Sequence, residues 1–96
     1  MRMPRLSETQ IQDRLADAPG WSVEGDTLTK TFTFADFVQS MQFVNRLAQA
    51  AEDADHHPDI DIRYAKVRIA LSTHDSGGIT AKDFALAQEA DAVAER

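Results

Sequence analysis

The chain has 96 residues, of which 43% are hydrophobic and 27% are charged, and sixteen acidic against ten basic side chains give a net charge of −6. Such a composition is typical of a folded globular protein, and the length predicts one domain over residues 1–96. The acidic balance argues against direct binding to nucleic acid, and the absence of cysteine excludes disulfides and thiolate chemistry. No apolar stretch is long enough for a membrane span and none follows the charged start Met1 to Arg5, so we expect a cytoplasmic protein.

Three helices are predicted from their start signals. Each signal is a Ser or Thr followed three residues later by a Gln or Asp, the spacing of a capping box, and the pairs are Ser7–Gln10, Thr33–Asp36 and Thr80–Asp83. The first helix runs from Ser7 to Ala18 and the last covers residues 84–95. The second is the longest and must end before Pro58, because the residue before a proline is disfavoured in the α conformation.

Four strands are predicted from alternating and β-branched residues. Residues 21–24 and 27–32 flank Gly25-Asp26 and indicate a hairpin, and two more alternating runs cover residues 60–64 and 67–71, although Ala65-Lys66 is a poor turn sequence. The element order is α-β-β-α-β-β-α, and its strand connections are too short for parallel crossovers. We therefore predict an α+β fold, a four-stranded antiparallel sheet with helices packed on one face.

The second helix carries a wide apolar stripe that is expected to cover the sheet. Its members recur at three- and four-residue steps and are Phe34, Phe37, Val38, Met41, Val44, Leu47, Ala48 and Ala51. Phe43 lies off the centre of this stripe.

All three histidines lie beside acidic residues at the ends of predicted elements. His56 and His57 follow the second helix, and His74 follows the fourth strand. Histidine changes protonation state near neutral pH, so this grouping suggests proton transfer. If the third and fourth strands pair, the two histidine segments share one edge of the sheet.

Other interpretations of these residues are open at this point. His56 or His57 alone would suit a helix C-terminal cap, Asp83 is explained by its capping box, and single carboxylates such as Glu52 are commonly solvated. Three histidines and a carboxylate also suffice for a zinc or iron site, but the ligand spacing of helical metal sites is absent. Ser72 and Thr73 lie near His74 without a nucleophile motif around them.

The histidine segments resemble a known family signature. The run Glu52-x3-His56-His57-Pro58-x5-Tyr64-x9-His74-x8-Asp83 is similar to that of the pterin-4a-carbinolamine dehydratases, and further similarity lies in Gly20-Trp21, residues 32–37 and residues 71–74. The resemblance covers the chain from about Pro19 to the last helix. It implies a homodimer or homotetramer that dehydrates 4a-hydroxytetrahydrobiopterin to the quinonoid dihydropterin, the step that recycles the pterin of an aromatic amino acid hydroxylase.

The resemblance also implies roles for individual residues, with no cofactor and no metal. His56 and His74 would be the acid/base pair, His57 a substrate contact that shares the proton transfer, and Asp83 the residue that orients a histidine. Other residues would line the pterin pocket, namely Asp55, Ser72, Thr73 and Asp75, with Glu52 and Trp21 at its rim. Pro58 and Tyr64 would hold the turn and the core. The alternative function is that of a non-catalytic partner protein, since one member of this family stabilises dimers of a transcription factor. The apolar stripe that builds the oligomer would then also bind the partner, and charged substitutions at Phe43 or Val93 would test this.

Overall fold

The computed structural model describes residues 4–95, so Met1 to Met3 of the charged start lie outside the described residues. Its elements in chain order are α1 (Glu8–Leu15), β1 (Ser22–Glu24), β2 (Thr27–Thr33), α2 (Phe37–Ala54), β3 (Asp59–Arg63), β4 (Lys66–Leu71), a one-turn 3₁₀ helix (His74–Ser76) and α3 (Ala81–Ala94). The predicted order of helices and strands is confirmed.

The four strands form one antiparallel sheet in the order β1-β2-β4-β3. β2 and β4 are its central strands, and their register places Phe32 opposite Val67 and Leu28 opposite Leu71. These four side chains are buried, whereas Arg68, on the other face of β4, is only half-buried. Because side chains alternate between the two faces of a strand, the helices cover one face of the sheet and the other remains polar. The predicted fold class is confirmed.

Two of the three predicted capping boxes are present. Ser7 and Gln10 bond reciprocally at the start of α1, and Thr80 and Asp83 do so at the start of α3. The prediction for α2 is wrong in its first turn, because Thr33 is the last residue of β2 and pairs with Lys66. The cap of α2 is instead Asp36, whose carboxylate accepts a hydrogen bond from the backbone N–H of Gln39.

The buried face of α2 also differs from the predicted stripe. Its fully buried residues are Ser40, Phe43, Leu47 and Ala51. Phe43 is only 1% exposed, and its ring lies 4.7 Å from that of Phe32 between centroids. Val38, by contrast, is 62% exposed. Phe43 packs against Phe32 of β2 and against Phe34, which follows that strand, so the prediction that Phe43 is peripheral is wrong.

The turn between β3 and β4 consists of Tyr64 and Ala65, since Arg63 pairs with Lys66. Tyr64 has a positive φ of 54° and is 68% exposed. The core role predicted for Tyr64 is therefore wrong. At the opposite end of the same pair of strands, Asp59 lies opposite Ala70, so the start of β3 and the end of β4 share one edge of the sheet as expected.

Within residues 4–95, no helix combines the length and apolar character that crossing a membrane requires.

Candidate active site

The C-terminus of α2 aims the first histidine segment at the sheet edge. Asp55 ends the helix in the left-handed conformation, with φ 51° and ψ 42°, and the backbone N–H of His56 donates to the carbonyl of Ala51. This is a Schellman motif, in which Asp replaces the usual Gly because its short side chain tolerates that conformation. Pro58 disfavours a further helical turn, and His56 and His57 lie just past the end of α2, in its short connection to β3, as predicted.

The end of β4 carries the second histidine segment in a closed loop. The backbone N–H of Thr73 donates to the carbonyl of Gly78 over 2.9 Å, and the Gly78 N–H donates back to the Thr73 carbonyl. Between them, the 3₁₀ turn begins at His74 and is ended by Gly77, which has a φ of 76°. The loop therefore presents His74 at the surface on a short, hydrogen-bonded turn.

Asp83 joins the two segments from the first turn of α3. Its carboxyl group is fully buried, and its Oδ1 lies 2.5 Å from Nε2 of His56, which is 27 residues away in sequence. Its Oδ2 accepts hydrogen bonds from the Thr73 hydroxyl and from the Thr80 backbone N–H, both over 2.9 Å. The helix N-terminus further favours a negative charge at this position. One buried carboxylate thus contacts the end of α2, the end of β4 and the start of α3.

His57 has a different partner from its neighbour. Its Nε2 lies 2.5 Å from Oε2 of Glu52, one helical turn back along α2. The side chains of His57 and Glu52 are 58% and 70% exposed, so this pair lies in solvent while the His56 ring is only 11% exposed. The two adjacent histidines therefore sit in different environments, one buried against a carboxylate and one accessible.

The remaining predicted residues divide into two groups. Ser72 and Asp75 flank the His74 segment, where Ser72 is half-buried and Asp75 exposed, and the Asp55 side chain is exposed at the end of α2. Trp21 does not join them. It is 6% exposed, and its indole Nε1–H donates to Asp91 of α3 over 3.1 Å, so Trp21 belongs to the core rather than to a pocket rim.

The sequence reasoning missed the contribution of Thr80. Its hydroxyl lies 2.8 Å from that of Thr73, and both residues are buried. The capping-box spacing of Thr80 and Asp83 was visible in the sequence, but the spacing did not indicate that Thr73 would join them from another element.

No group of three or more His, Asp or Glu side chains among residues 4–95 is arranged to hold a metal ion. A cavity of about 820 Å³ lies elsewhere, between α1 and the β1–β2 turn, and contains none of the three histidines. The ionisable side chains of the site are histidines and carboxylates. His56, paired with the buried Asp83, and the exposed His74 are groups that can deliver and remove protons.

Comparisons with known proteins point to one family. A family model described as pterin 4 alpha carbinolamine dehydratase matches residues 4–93. The chain belongs to the pterin-4a-carbinolamine dehydratase family. A Chloroflexus aurantiacus relative provisionally named as such a dehydratase is 54% identical over 91 residues, which cover 95% of this chain and 98% of the relative. A Thermosynechococcus vestitus relative with the same provisional name is 54% identical over 84 residues, or 88% of each chain.

Two solved structures are also similar to this chain. The crystal structure of a Brucella melitensis protein described as a transcriptional coactivator/pterin dehydratase superposes with a TM-score of 0.90 at 35% identity, covering 94% of this chain and 98% of that one. A pterin dehydratase-like protein described as a RuBisCO assembly factor of the α-carboxysome matches with a TM-score of 0.64 at 28% identity, over 77% of this chain and 86% of that one.

Proposed function

We propose that this chain dehydrates 4a-hydroxytetrahydrobiopterin, or a closely related pterin-4a-carbinolamine, by acid/base catalysis with His56 and His74. The reaction breaks the C4a–O bond, releases water after a proton reaches the hydroxyl, and forms the C4a=N5 bond as N5 loses its proton. The observation that carries the proposal is the convergence of both histidine segments on Asp83 at one edge of the sheet.

The environment of each residue supports its proposed role. His56 is hydrogen-bonded to the buried Asp83 carboxylate, which holds the ring in place for proton transfer. His74 lies exposed on its own loop, where substrate can reach it. His57, bonded to Glu52 in solvent, serves as a substrate contact, and Asp55, Ser72, Thr73 and Asp75 would line the pterin site.

The test is steady-state dehydration of a synthetic 4a-hydroxytetrahydropterin. His56→Ala and His74→Ala should each lower kcat by about 10²-fold or more, the usual contribution of a general acid or base. Asp53→Ala is the matched control, since Asp53 lies next to Glu52 but bonds Gln49 instead. Unchanged kcat in both histidine variants, with circular dichroism spectra like that of the wild type, would refute the enzymatic proposal.

The proposal includes a homodimer or homotetramer that assembles through α2. Its support is the exposure of Phe37 (49%) and Val38 (62%) on the first turn of that helix. Val38→Glu should lower the sedimentation coefficient without changing the circular dichroism spectrum. Phe43 and Val93, the probes suggested by the sequence, are unsuitable because both are buried, and a charge there would unfold the protein.

A role as a protein partner is the second candidate, and the same exposed residues favour it. The related structures described as a coactivator and as a RuBisCO assembly factor show that proteins of this fold are given such roles. The two candidates are separated by comparing variants. If this chain acts by binding another protein, that protein should still bind the His56→Ala and His74→Ala variants. It should lose affinity for the Val38→Glu variant.

A further inference from the structure

The directions of the hydrogen bonds around Asp83 follow from the number of protons available. A hydroxyl has one proton to donate, and the Thr73 hydroxyl donates it to Oδ2 of Asp83. In the 2.8 Å contact between the two threonines, Thr80 must therefore be the donor and Thr73 the acceptor. The oxygen of Thr80 in turn accepts from the backbone N–H of Lys82 over 3.2 Å. In this series of hydrogen bonds, each donor therefore lies on the side away from Asp83 and each acceptor on the side nearer to it.

These directions determine which nitrogen of His56 carries a proton. Oδ2 of Asp83 already accepts two hydrogen bonds, so it acts only as an acceptor. An aspartate side chain is a carboxylate at neutral pH and has no proton to donate, so Nε2 of His56 is the donor in its contact with Oδ1. The neutral ring is then the Nε2–H tautomer, and Nδ1 has a free lone pair.

The other ring nitrogen of His56, Nδ1, has no hydrogen-bond partner among residues 4–95. No buried side-chain nitrogen or oxygen of a non-exposed residue in that range lacks a partner, so Nδ1 is not an unpaired buried atom. The side chain as a whole is 11% exposed. One nitrogen of the ring is thus bonded to Asp83, and the other has no partner in the described part of the protein.

We infer that Thr73 is a positioning residue. Its hydroxyl, held in place by Thr80, orients the Asp83 carboxylate, which fixes His56 as the Nε2–H tautomer and leaves Nδ1 to exchange the proton with substrate. This inference deepens the proposed function and rests on it for the last step. It also gives the Thr73 side chain a role other than direct contact with the pterin, because its hydroxyl is already bonded to Asp83 and Thr80.

The first measurement is the tautomer of His56 in the protein without substrate. Long-range ¹H–¹⁵N correlation spectra of histidine-labelled protein distinguish the two neutral forms, and the signals of His56 are identified by their absence from His56→Ala. The wild type should show the Nε2–H form. A wild-type ring in the Nδ1–H form would overturn the inference before any mutation of Thr73 is made.

The second measurement compares threonine variants. Thr73→Val should yield a mixture of tautomers and a kcat lower by about tenfold, the factor that one net hydrogen bond is worth, with KM unchanged. Thr73→Ser keeps the hydroxyl and should restore both. Thr29→Val is the matched control, since Thr29 is also buried and donates to a carboxylate, Glu24, over 2.9 Å, but on the polar face of the sheet.

The outcomes separate this inference from the proposed function. If Thr73→Val raises KM and leaves the tautomer intact, Thr73 contacts substrate directly and the inference is wrong. If the tautomer changes but kcat does not, positioning by Thr73 has no part in turnover. Absence of dehydratase activity in the wild type would refute the proposed function, whereas the spectra would still decide whether Thr73 and Asp83 fix the His56 ring.

Discussion

Replacing Asp83 with Asn tests the buried centre of the site. The amide has nearly the same shape, and its oxygen can still accept from Thr73 and from the Thr80 N–H. Its NH₂ group, however, would face Nε2 of His56, where the carboxylate oxygen now lies at 2.5 Å. That nitrogen would have to become an acceptor, so the ring proton would move to Nδ1.

The loss of stability can be worked out from the three hydrogen bonds of Asp83. Each changes from a charge-assisted bond, worth ~1.5–3 kcal/mol, to a neutral one, worth ~0.5–1.5 kcal/mol, so Asp83→Asn should cost about 3 kcal/mol. A domain of this size has a free energy of unfolding of roughly 5–14 kcal/mol and should remain folded. Its melting temperature should fall by about 12–24 °C. Asp83→Ala would leave three donors unpaired and should unfold most of the protein.

The assay combines thermal unfolding with turnover of 4a-hydroxytetrahydropterin. We expect kcat of Asp83→Asn to fall by roughly 10³-fold or more, as in other Asp–His pairs whose tautomer is reversed. Asp36→Asn is the matched control, because Asp36 is an exposed cap of α2 and Asn caps helices equally well. A kcat within threefold of the wild type, or a melting temperature within about 3 °C of it, would refute the reasoning.

Four further measurements test other parts of the molecule. Asp91→Ala removes the acceptor of Trp21 Nε1 and should cost about 2 kcal/mol in urea unfolding, with a shift in the emission of this single tryptophan. Gly77→Ala meets no atom within 4 Å but forces a non-glycine residue to a φ of 76°, so stability should fall by about 1–2 kcal/mol. Hydrogen bonding to the Arg68 guanidinium lowers the pKa of Glu24 from 4.5, so this pair adds stability above that pH and loses it as the pH falls further. In Glu24→Gln, the free energy of unfolding should therefore fall slightly less steeply as the pH is lowered below 4.5. Separately, dialysis against a chelator should leave the rate of dehydration unchanged.

Each of these predictions has an outcome that contradicts it. An unchanged unfolding midpoint in Asp91→Ala would mean that the indole finds another acceptor. A Gly77→Ala variant as stable as the wild type would show that the loop relaxes. A stability that falls more steeply with acid in Glu24→Gln than in the wild type would contradict the stabilising role of the Glu24–Arg68 pair. Activity that returns only with added metal would replace the histidine mechanism with a metal-assisted one.

The starts of the helices were predictable from the sequence where the capping signals are local. Ser7 with Gln10 and Thr80 with Asp83 bond within a single turn, so no other part of the chain was needed to predict them. The Thr33–Asp36 pair has the same spacing but failed, because strand pairing with Lys66 keeps Thr33 in the sheet. A capping signal therefore predicts a helix start only when no strand competes for the same residues.

Burial was less predictable than secondary structure. Phe43 and Trp21 are buried because Phe32 and Asp91 come to them from other elements, and Tyr64 is exposed because it lies in a two-residue turn. Apolar periodicity identifies which helix is amphipathic, but it leaves the rotation of the helix open where apolar residues occur on several sides.

The sequence by itself determined the α+β order, the acidic character and the two histidine segments whose spacing resembles one family. The tertiary structure decided how those segments meet. Residues 27 positions apart form the His56–Asp83 contact only because β3 pairs with β4 and α3 begins beside Thr73. Each partner alone fits an ordinary role, a helix cap or a surface charge. Burial among His56, Thr73 and Thr80 makes the Asp83 carboxylate the shared acceptor of the site, because a desolvated charge is stable only when surrounding groups donate hydrogen bonds to it.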